Sequence, residues 1–327
     1  MKEENFKFKD FTYTVSAEEA DDKLNLSLTH KNTLPEFLFK YYSINKNNVD
    51  AFCEGYLFAS HPYQLNDKYD CSADLIDYSN CSLELLIEKS KSEGLADITE
   101  HIKEKYNSDN KRELERDISN LERDRLMKKF GIISFTKNKI DILMWAYYAQ
   151  NRGFVLEFEI SKLNKKWFGP FPINYCDSLE KLDISKCSPP MSLFYQTNIK
   201  QNIWEHEDEW RYLAYNPKGN YHPYHLKEDY KTRFQFYNRT AVRQIILGYD
   251  FIEPNYIKRI KNTDYIKLRN KMQDYKLKLK ILNYIVKNKI PVSLIVRDIR
   301  TFSLITESIT INKLSSNTFE IEHKNTK

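Results

Sequence analysis

Glycine is scarce, with 7 in 327 residues. That excludes collagen-like repeats and argues against the glycine-rich loops that cradle dinucleotide pyrophosphates. Long apolar runs are missing as well. No stretch approaches the roughly 18 residues a membrane helix needs, and the mean hydropathy is −0.67. The cysteines Cys53, Cys71, Cys81, Cys176 and Cys187 are odd in number and scattered, which suits reduced thiols and not a disulfide framework. No Cys-x-x-Cys pair, phosphate-binding P-loop, Gly-x-Ser-x-Gly elbow or zinc-protease motif occurs. The opening MKEENFKFKDF lacks the apolar core and small-residue cleavage site of a secretory signal. The expectation is a cytoplasmic protein with no membrane partner. Neither charge sign dominates: 51 Lys and Arg face 46 Asp and Glu, a net +5. This excludes a supercharged nucleic-acid coat protein and leaves room for a local basic face.

What is present is apolar and aromatic. Hydrophobic residues make up 41% and aromatics 14%, enough to bury a sizeable core. Residues 1–30 are acidic with weak periodicity and read as a peripheral arm. From Pro35 onward the pattern sharpens. Strands are expected over 36–42, 56–60, 131–136, 153–159, 207–215, 233–237, 243–248, 291–296 and 302–311. Asn47 or Asn48 is placed to cap a short helix closed by Gly55, and Asp141 to cap one over 142–150. A helix is expected over about 191–203, and residues 255–290 read as basic helices. Residues 82–129 carry Leu and Ile at helical spacing among dense charge, so they read as a helical insertion that the core can do without. Residues 31–311 then form one domain and 312–327 a polar tail. The mixture, with strands grouped late, favours an α+β fold: a twisted, mainly antiparallel sheet with flanking helices.

Three constellations carry chemical potential. In Trp204-Glu-His-Glu-Asp-Glu-Trp-Arg211, a strand from Glu207 would put Glu207, Glu209 and Arg211 on one face and Trp210 and Tyr212 on the other. Carboxylates and a guanidinium sharing a half-dry face shift one another's pKa; a surface salt-bridge row beside core tryptophans is the plainer alternative. In Met144-Trp-Ala-Tyr-Tyr-Ala-Gln-Asn-Arg-Gly153, Trp145 and Tyr148 share a helix side and Arg152 follows. That set suits stacking on a planar ring with a cation for phosphate, or simply a core-facing stripe. In Ser60-His-Pro-Tyr-Gln-Leu-Asn-Asp67, Asn66 and Asp67 fix a turn or touch a polar ligand. The pair His222 and His225 is a weak metal signal because Pro223 lies between them, and no metal is expected.

Together these segments resemble one family. Phe39-Lys-Tyr-Tyr42, Gly55-Tyr-Leu-Phe-Ala-Ser60 and Leu65-Asn-Asp67 match its opening; Met144-Trp-Ala-Tyr-Tyr-Ala149 with Gly153-Phe-Val-Leu-Glu-Phe158 its centre; Trp204 through Arg211 its third motif; Ile245-Ile-Leu-Gly248 its tail. It is the bacterial domain-of-unknown-function family numbered twenty-nine seventy-one. Lys68 stands where that family usually has Pro, and Asn151-Arg152 where it often has His-Lys. A looser resemblance, to ADP-ribosyltransferase-like enzymes, implies a function. In them a late-strand Glu stabilises an oxocarbenium-like transition state, an aromatic ring stacks on nicotinamide, and a first-strand cation holds ribose or phosphate. The implied counterparts are Glu209 or Glu207, Tyr148 or Trp145, and Lys40, with Tyr41, Ser60, Asn66, Arg152 and Arg211 as further nucleotide contacts. The implied activity is NAD consumption by ADP-ribosyl transfer or hydrolysis, with a nucleic-acid or protein acceptor, as in a bacterial toxin or antiviral defence effector. The alternatives are a nucleotide- or nucleic-acid-binding module without catalysis, and a metal-dependent nuclease if Asp67 and Glu209 converge.

Overall fold

The computed structural model describes residues 2–18, 23–92, 99–106, 108, 110–163, 165–222, 230–261 and 263–324. His225, named above as half of a weak metal signal, lies outside them.

The chain opens with strands β1 (Lys2–Phe8), β2 (Phe11–Glu18) and β3 (Lys23–Thr29), paired as an antiparallel sheet of their own. This corrects the expectation of a peripheral arm. Alternation along β2 sends Tyr13 and Val15 into a buried cluster, where Tyr13 packs edge-on against Phe194. Next come β4 (Phe37–Tyr42), α1 (Lys46–Glu54), β5 (Tyr56–Phe58) and the two-residue β6 (Ile76–Asp77). The Asn45 side chain caps α1 and left-handed Gly55 ends it.

Helices α2 (Leu83–Ser92), α3 (Thr99–Tyr106) and α4 (Lys111–Leu126) follow. The helical reading of 82–129 holds, but the segment is no appendage. Leu86, Ile102, Leu114, Ile118 and Leu126 are buried in the same cluster as Tyr13 and Phe194. Then come β7 (Phe130–Thr136), α5 (Ile142–Tyr147, capped by Asp141), β8 (Phe154–Glu159), β9 (Trp167–Pro172), β10 (Asn174–Cys176) and β11 (Leu182–Asp183).

The predicted helix over 191–203 is shorter and starts earlier, as α6 (Pro189–Gln196) on the Ser188 cap. It is followed by β12 (Ile199–Gln201) and a 3-10 turn, Asn202–Glu207. The strand expected from Glu207 begins at Glu209, as β13 (Glu209–Tyr215), because Asp208 adopts a left-handed conformation that breaks the extension. Next are β14 (Phe234–Phe236), β15 (Val242–Leu247), β16 (Ile257–Ile260) and β17 (Thr263–Lys267). Residues 257–260 and 263–267 are therefore strands, not helix, and α7 (Tyr275–Asn288) is the one α-helix among the described residues of that basic stretch. The chain closes on β18 (Val292–Arg297), β19 (Leu304–Lys313) and β20 (Thr318–His323). The expected polar tail thus contains a strand of the main sheet, with Phe319 and Ile321 buried.

The fold is α+β. An eleven-stranded sheet runs in the order β16-β17-β20-β19-β18-β15-β8-β4-β7-β13-β9, antiparallel except for the β15–β18 pair. One large cluster, with Trp210, Tyr212 and Phe135, packs with buried residues of α1 and α7; a second, with Leu213, Ile132 and Phe194, packs with those of α4 and α6. Alternation on β13 divides its side chains between the two. Gly153 is required where α5 turns into β8, since a Cβ there would meet the Tyr42 carbonyl oxygen at 1.9 Å. No helix among the described residues is long and apolar enough to cross a membrane.

Candidate functional site

Strands β4 and β7 touch at one residue pair, Phe39 with Thr136. Next to that point a cleft of about 230 Å³ opens, lined by β4, β7, β13, the loop after Ser60, and Tyr148 at the C-cap of α5. Lys40, Tyr41, Ser60, Asn66, Tyr148, Glu207, Glu209 and Arg211 all line it. Residues from five separate stretches of chain thus meet, as the motifs suggested.

Three named residues do not join them. Trp145 is fully buried, donates its indole N–H to the Lys139 carbonyl, and packs edge-on against Tyr41. It is a wall of the α5 core and not a stacking platform. Arg152 does not line the cleft and donates instead to the Gln273 side chain. Asp67 is also outside the lining, so the proposed convergence with Glu209 is not found. Its Oδ1 accepts from the Tyr69 N–H, which is the turn role. Asn66 does reach the cleft, donating to the Tyr148 hydroxyl at 2.7 Å.

The floor is a buried ionic chain that sequence reasoning saw only in part. Arg211 forks onto Asp70, Nη1 to Oδ1 at 2.8 Å, and also donates from Nε to Glu209 Oε1 at 2.7 Å. Glu209 Oε2 accepts from Arg211 Nη2 at 3.0 Å and from Lys200 Nζ at 2.9 Å. Lys200 also bonds Glu207, and Glu207 accepts from the Tyr148 hydroxyl. Asp70, Lys200, Glu207, Glu209 and Arg211 are all buried. Asp70 lies 141 positions from Arg211, and no local pattern announces such a pair. Lys200 was hidden because β12 was read as helix.

The two glutamates titrate in opposite directions. Burial works against the Glu209 anion, but Arg211 and Lys200 outweigh it and hold the carboxyl well below the usual carboxylate range. Glu207 is raised, first by burial and then by the charge of Glu209; Lys200 and Tyr148 only partly offset this. Tyr148 is raised by burial and by the Glu207 charge. Burial lowers Lys40 to about 8, against an opposing pull from Glu209. Its ammonium donates to the Ser134 carbonyl at 2.7 Å and lies 5.5 Å from the Phe135 ring centre.

Chemically, the cleft offers a half-buried aromatic hydroxyl, a carboxyl that burial raises, a carboxylate held in ionic form by two cations, and an amine whose hydrogen bond goes to a neutral carbonyl. Among the described residues no group of three or more His, Cys, Asp and Glu is placed to hold a metal ion.

The chain was compared with protein-family models, curated proteins and solved structures, and none matches.

Proposed function

We propose that the protein consumes NAD, cleaving the nicotinamide–ribose bond and passing ADP-ribose to water or to a nucleic-acid or protein acceptor. The observation that carries this reading is the bond from Tyr148 to the buried carboxylate of Glu207 in the wall of the cleft. Departure of a cationic leaving group needs little acid assistance. It needs negative charge close to the developing oxocarbenium ion in a site poor in water. Glu207, with Glu209 behind it, supplies that charge, and Tyr148 and Tyr41 supply aromatic walls. Lys40 offers a point charge to a phosphate or ribose oxygen. About 230 Å³ is below the roughly 300–1,000 Å³ of ordinary ligand pockets, so the cleft takes one end of the dinucleotide.

The carboxylate assigned to the chemistry is Glu207 and not Glu209, because Glu209 takes three bonds from two cations, Arg211 and Lys200, whereas Glu207 is bonded by one cation, Lys200, and by the neutral Tyr148 hydroxyl. That same saturation favours a second reading, a nucleotide-binding module without catalysis. Nicotinamide release from NAD, measured with and without RNA, DNA and protein acceptors, separates the two. Turnover that falls about 10²–10³-fold in Glu207→Gln supports the enzyme; NAD binding by calorimetry without any turnover leaves the binding module.

A further inference from the structure

The cleft holds three cations, and one of them differs in kind. Arg211 is tied to Asp70 and Glu209, and Lys200 to Glu207 and Glu209. Lys40 has no ion-pair partner among the described residues; its hydrogen bond goes to a neutral backbone carbonyl, Ser134 O, beside the Phe135 ring. Lys40 is half-buried, and a structural lysine drawn out of water would be expected to end on a carboxylate, as the fully buried Lys278 does on Glu253. Lys40 instead ends in a cavity. It shares that cavity with Glu207, a carboxyl that burial drives toward its acid form. Ser60, Gln64 and Asn66 line the same space and present hydroxyl and amide groups.

We propose that Lys40 is a carbonyl-capturing amine: the cleft accepts a small hydroxylated aldehyde, such as an open-chain aldose, and Lys40 Nζ forms an imine with its carbonyl carbon. The Nζ lone pair attacks the carbon, a C–N bond forms, and the C=O π pair moves to oxygen, which takes a proton from nitrogen. The C–O bond of the carbinolamine then breaks. The fraction of Glu207 in its acid form, which burial enlarges, gives its proton to the departing hydroxyl, which leaves as water, and the carboxylate recovers one from the iminium nitrogen. The two amine hydrogens and the carbonyl oxygen account for the water released. No oxidant or reductant is needed. Ser60, Gln64 and Asn66 are placed to bond the hydroxyls of the aldehyde, and the charged groups around the amine are Glu207, Glu209, Asp70, Lys200 and Arg211, with the Tyr148 phenol. With burial holding the ammonium near 8, about a tenth of Lys40 is neutral at pH 7, against well under a thousandth of an ordinary lysine. The proposal does not rest on NAD turnover.

The test is limited reductive alkylation of the whole protein with glycolaldehyde and cyanoborohydride at pH 7, read lysine by lysine by peptide mass spectrometry. Lys40 is expected to react about 10-fold or more faster than exposed Lys128 and Lys218, with a rate that levels off near pH 8. Glu207→Gln is expected to slow Lys40 several-fold and leave Lys218 unchanged. Propanal, of similar size without the hydroxyl, is expected to label Lys40 more slowly than glycolaldehyde does. A Lys40 rate at or below that of Lys218 overturns the proposal. Equal labelling by propanal removes the hydroxylated-aldehyde class, and an unchanged rate in Glu207→Gln removes the acid role.

Discussion

Glu209 and Arg211, two residues apart on β13, are joined through both carboxylate oxygens, Nε to Oε1 at 2.7 Å and Nη2 to Oε2 at 3.0 Å. The guanidinium is 1% exposed and also bonds Asp70 and the Thr197 carbonyl. Such a unit joins the floor of the cleft to the loop after Asn66, and its cost is felt when one member goes.

Glu209→Gln is therefore expected to destabilise the protein by about 3–5 kcal/mol. It leaves Arg211 and Lys200 short of a counter-charge where water does not reach. Glu207→Gln is expected to change stability by less than about 1 kcal/mol, because it removes a charge that burial already disfavours. Urea titrations of the two variants at pH 7 check this. If Glu207→Gln costs as much as Glu209→Gln, both glutamates are structural and the assignment of Glu207 to the chemistry falls.

The same pair sets the acid behaviour. Glu209 has a depressed folded pKa, so its contribution to stability is complete above about 4.5 and is lost as pH falls below that. Glu207 has a raised folded pKa, so it works with the opposite sign: stability declines as pH rises through about 4.5 toward its folded value. Denaturant midpoints across pH 3–7 are expected to show that decline superposed on the acid loss in the native protein. In Glu207→Gln only the acid loss is expected to remain.

Tyr148 donates to Glu207 and accepts from Asn66. Its hydroxyl is one of the groups that moderates the Glu207 shift. Tyr148→Phe is expected to move the Glu207 titration further upward, read from side-chain carboxyl carbon shifts by NMR. A downward or absent movement would show that the phenol does not bond Glu207 in solution.

Residues 82–129 give a prediction opposite to the one their charge suggests. Ile118 and Leu114 of α4 are buried with Phe194 and Met191 of α6, and Arg123 donates to the Cys71 carbonyl at 2.9 Å. Replacing the segment by a short linker is expected to abolish cooperative unfolding, and Ile118→Ala to cost about 2–4 kcal/mol. Circular-dichroism melts of both proteins decide the matter; a sharp melt in the deletion would restore the view of an independent insertion.

These outcomes show where the sequence was legible. Caps and turns act within three or four residues, so Asp141 before α5 and Gly55 after α1 could be read directly. The residues of the cleft, Lys40, Tyr148, Glu207 and Glu209, were recognisable as a polar and aromatic set unlike a plain core. The strands of 2–29 were not, because the charges of β1 and its turn, Lys2, Glu3, Glu4, Lys7, Lys9 and Asp10, outweigh the short alternation of Tyr13 and Val15 with Thr12 and Thr14. Residues 257–267 were not either, since Lys, Arg and Ile suit a charged helix as well as a hairpin exposed on one face. Asp70 and Lys200 could not be found at all. Each matters only through a partner brought close by the fold, and a single charged residue in a loop or short strand carries no mark of its future neighbour.

The Lys40 ammonium is desolvated with no carboxylate bonded to it, and burial, against the more distant pull of Glu209, lowers it to about 8 from the ordinary 10.5. A depressed lysine pKa means that the folded state releases the proton before the unfolded chain does. Stability is therefore expected to rise with pH between about 8 and 10.5, where the unfolded state still holds the extra proton. Below 8 the charge is a standing cost. Lys40→Met keeps the length and the apolar stem, removes the charge, and leaves the Ser134 carbonyl without its donor. Against the cost of burying an ammonium, that lost bond is the smaller quantity, about 1 kcal/mol. Lys40→Met is thus expected to stabilise the protein at pH 7 by about 1–2 kcal/mol, with the advantage shrinking as pH climbs past 8. Paired urea titrations at pH 7 and pH 9.5 measure both parts. A variant that is less stable at pH 7, or whose difference from the native protein does not change with pH, would mean that Lys40 holds an ordinary, well-solvated charge.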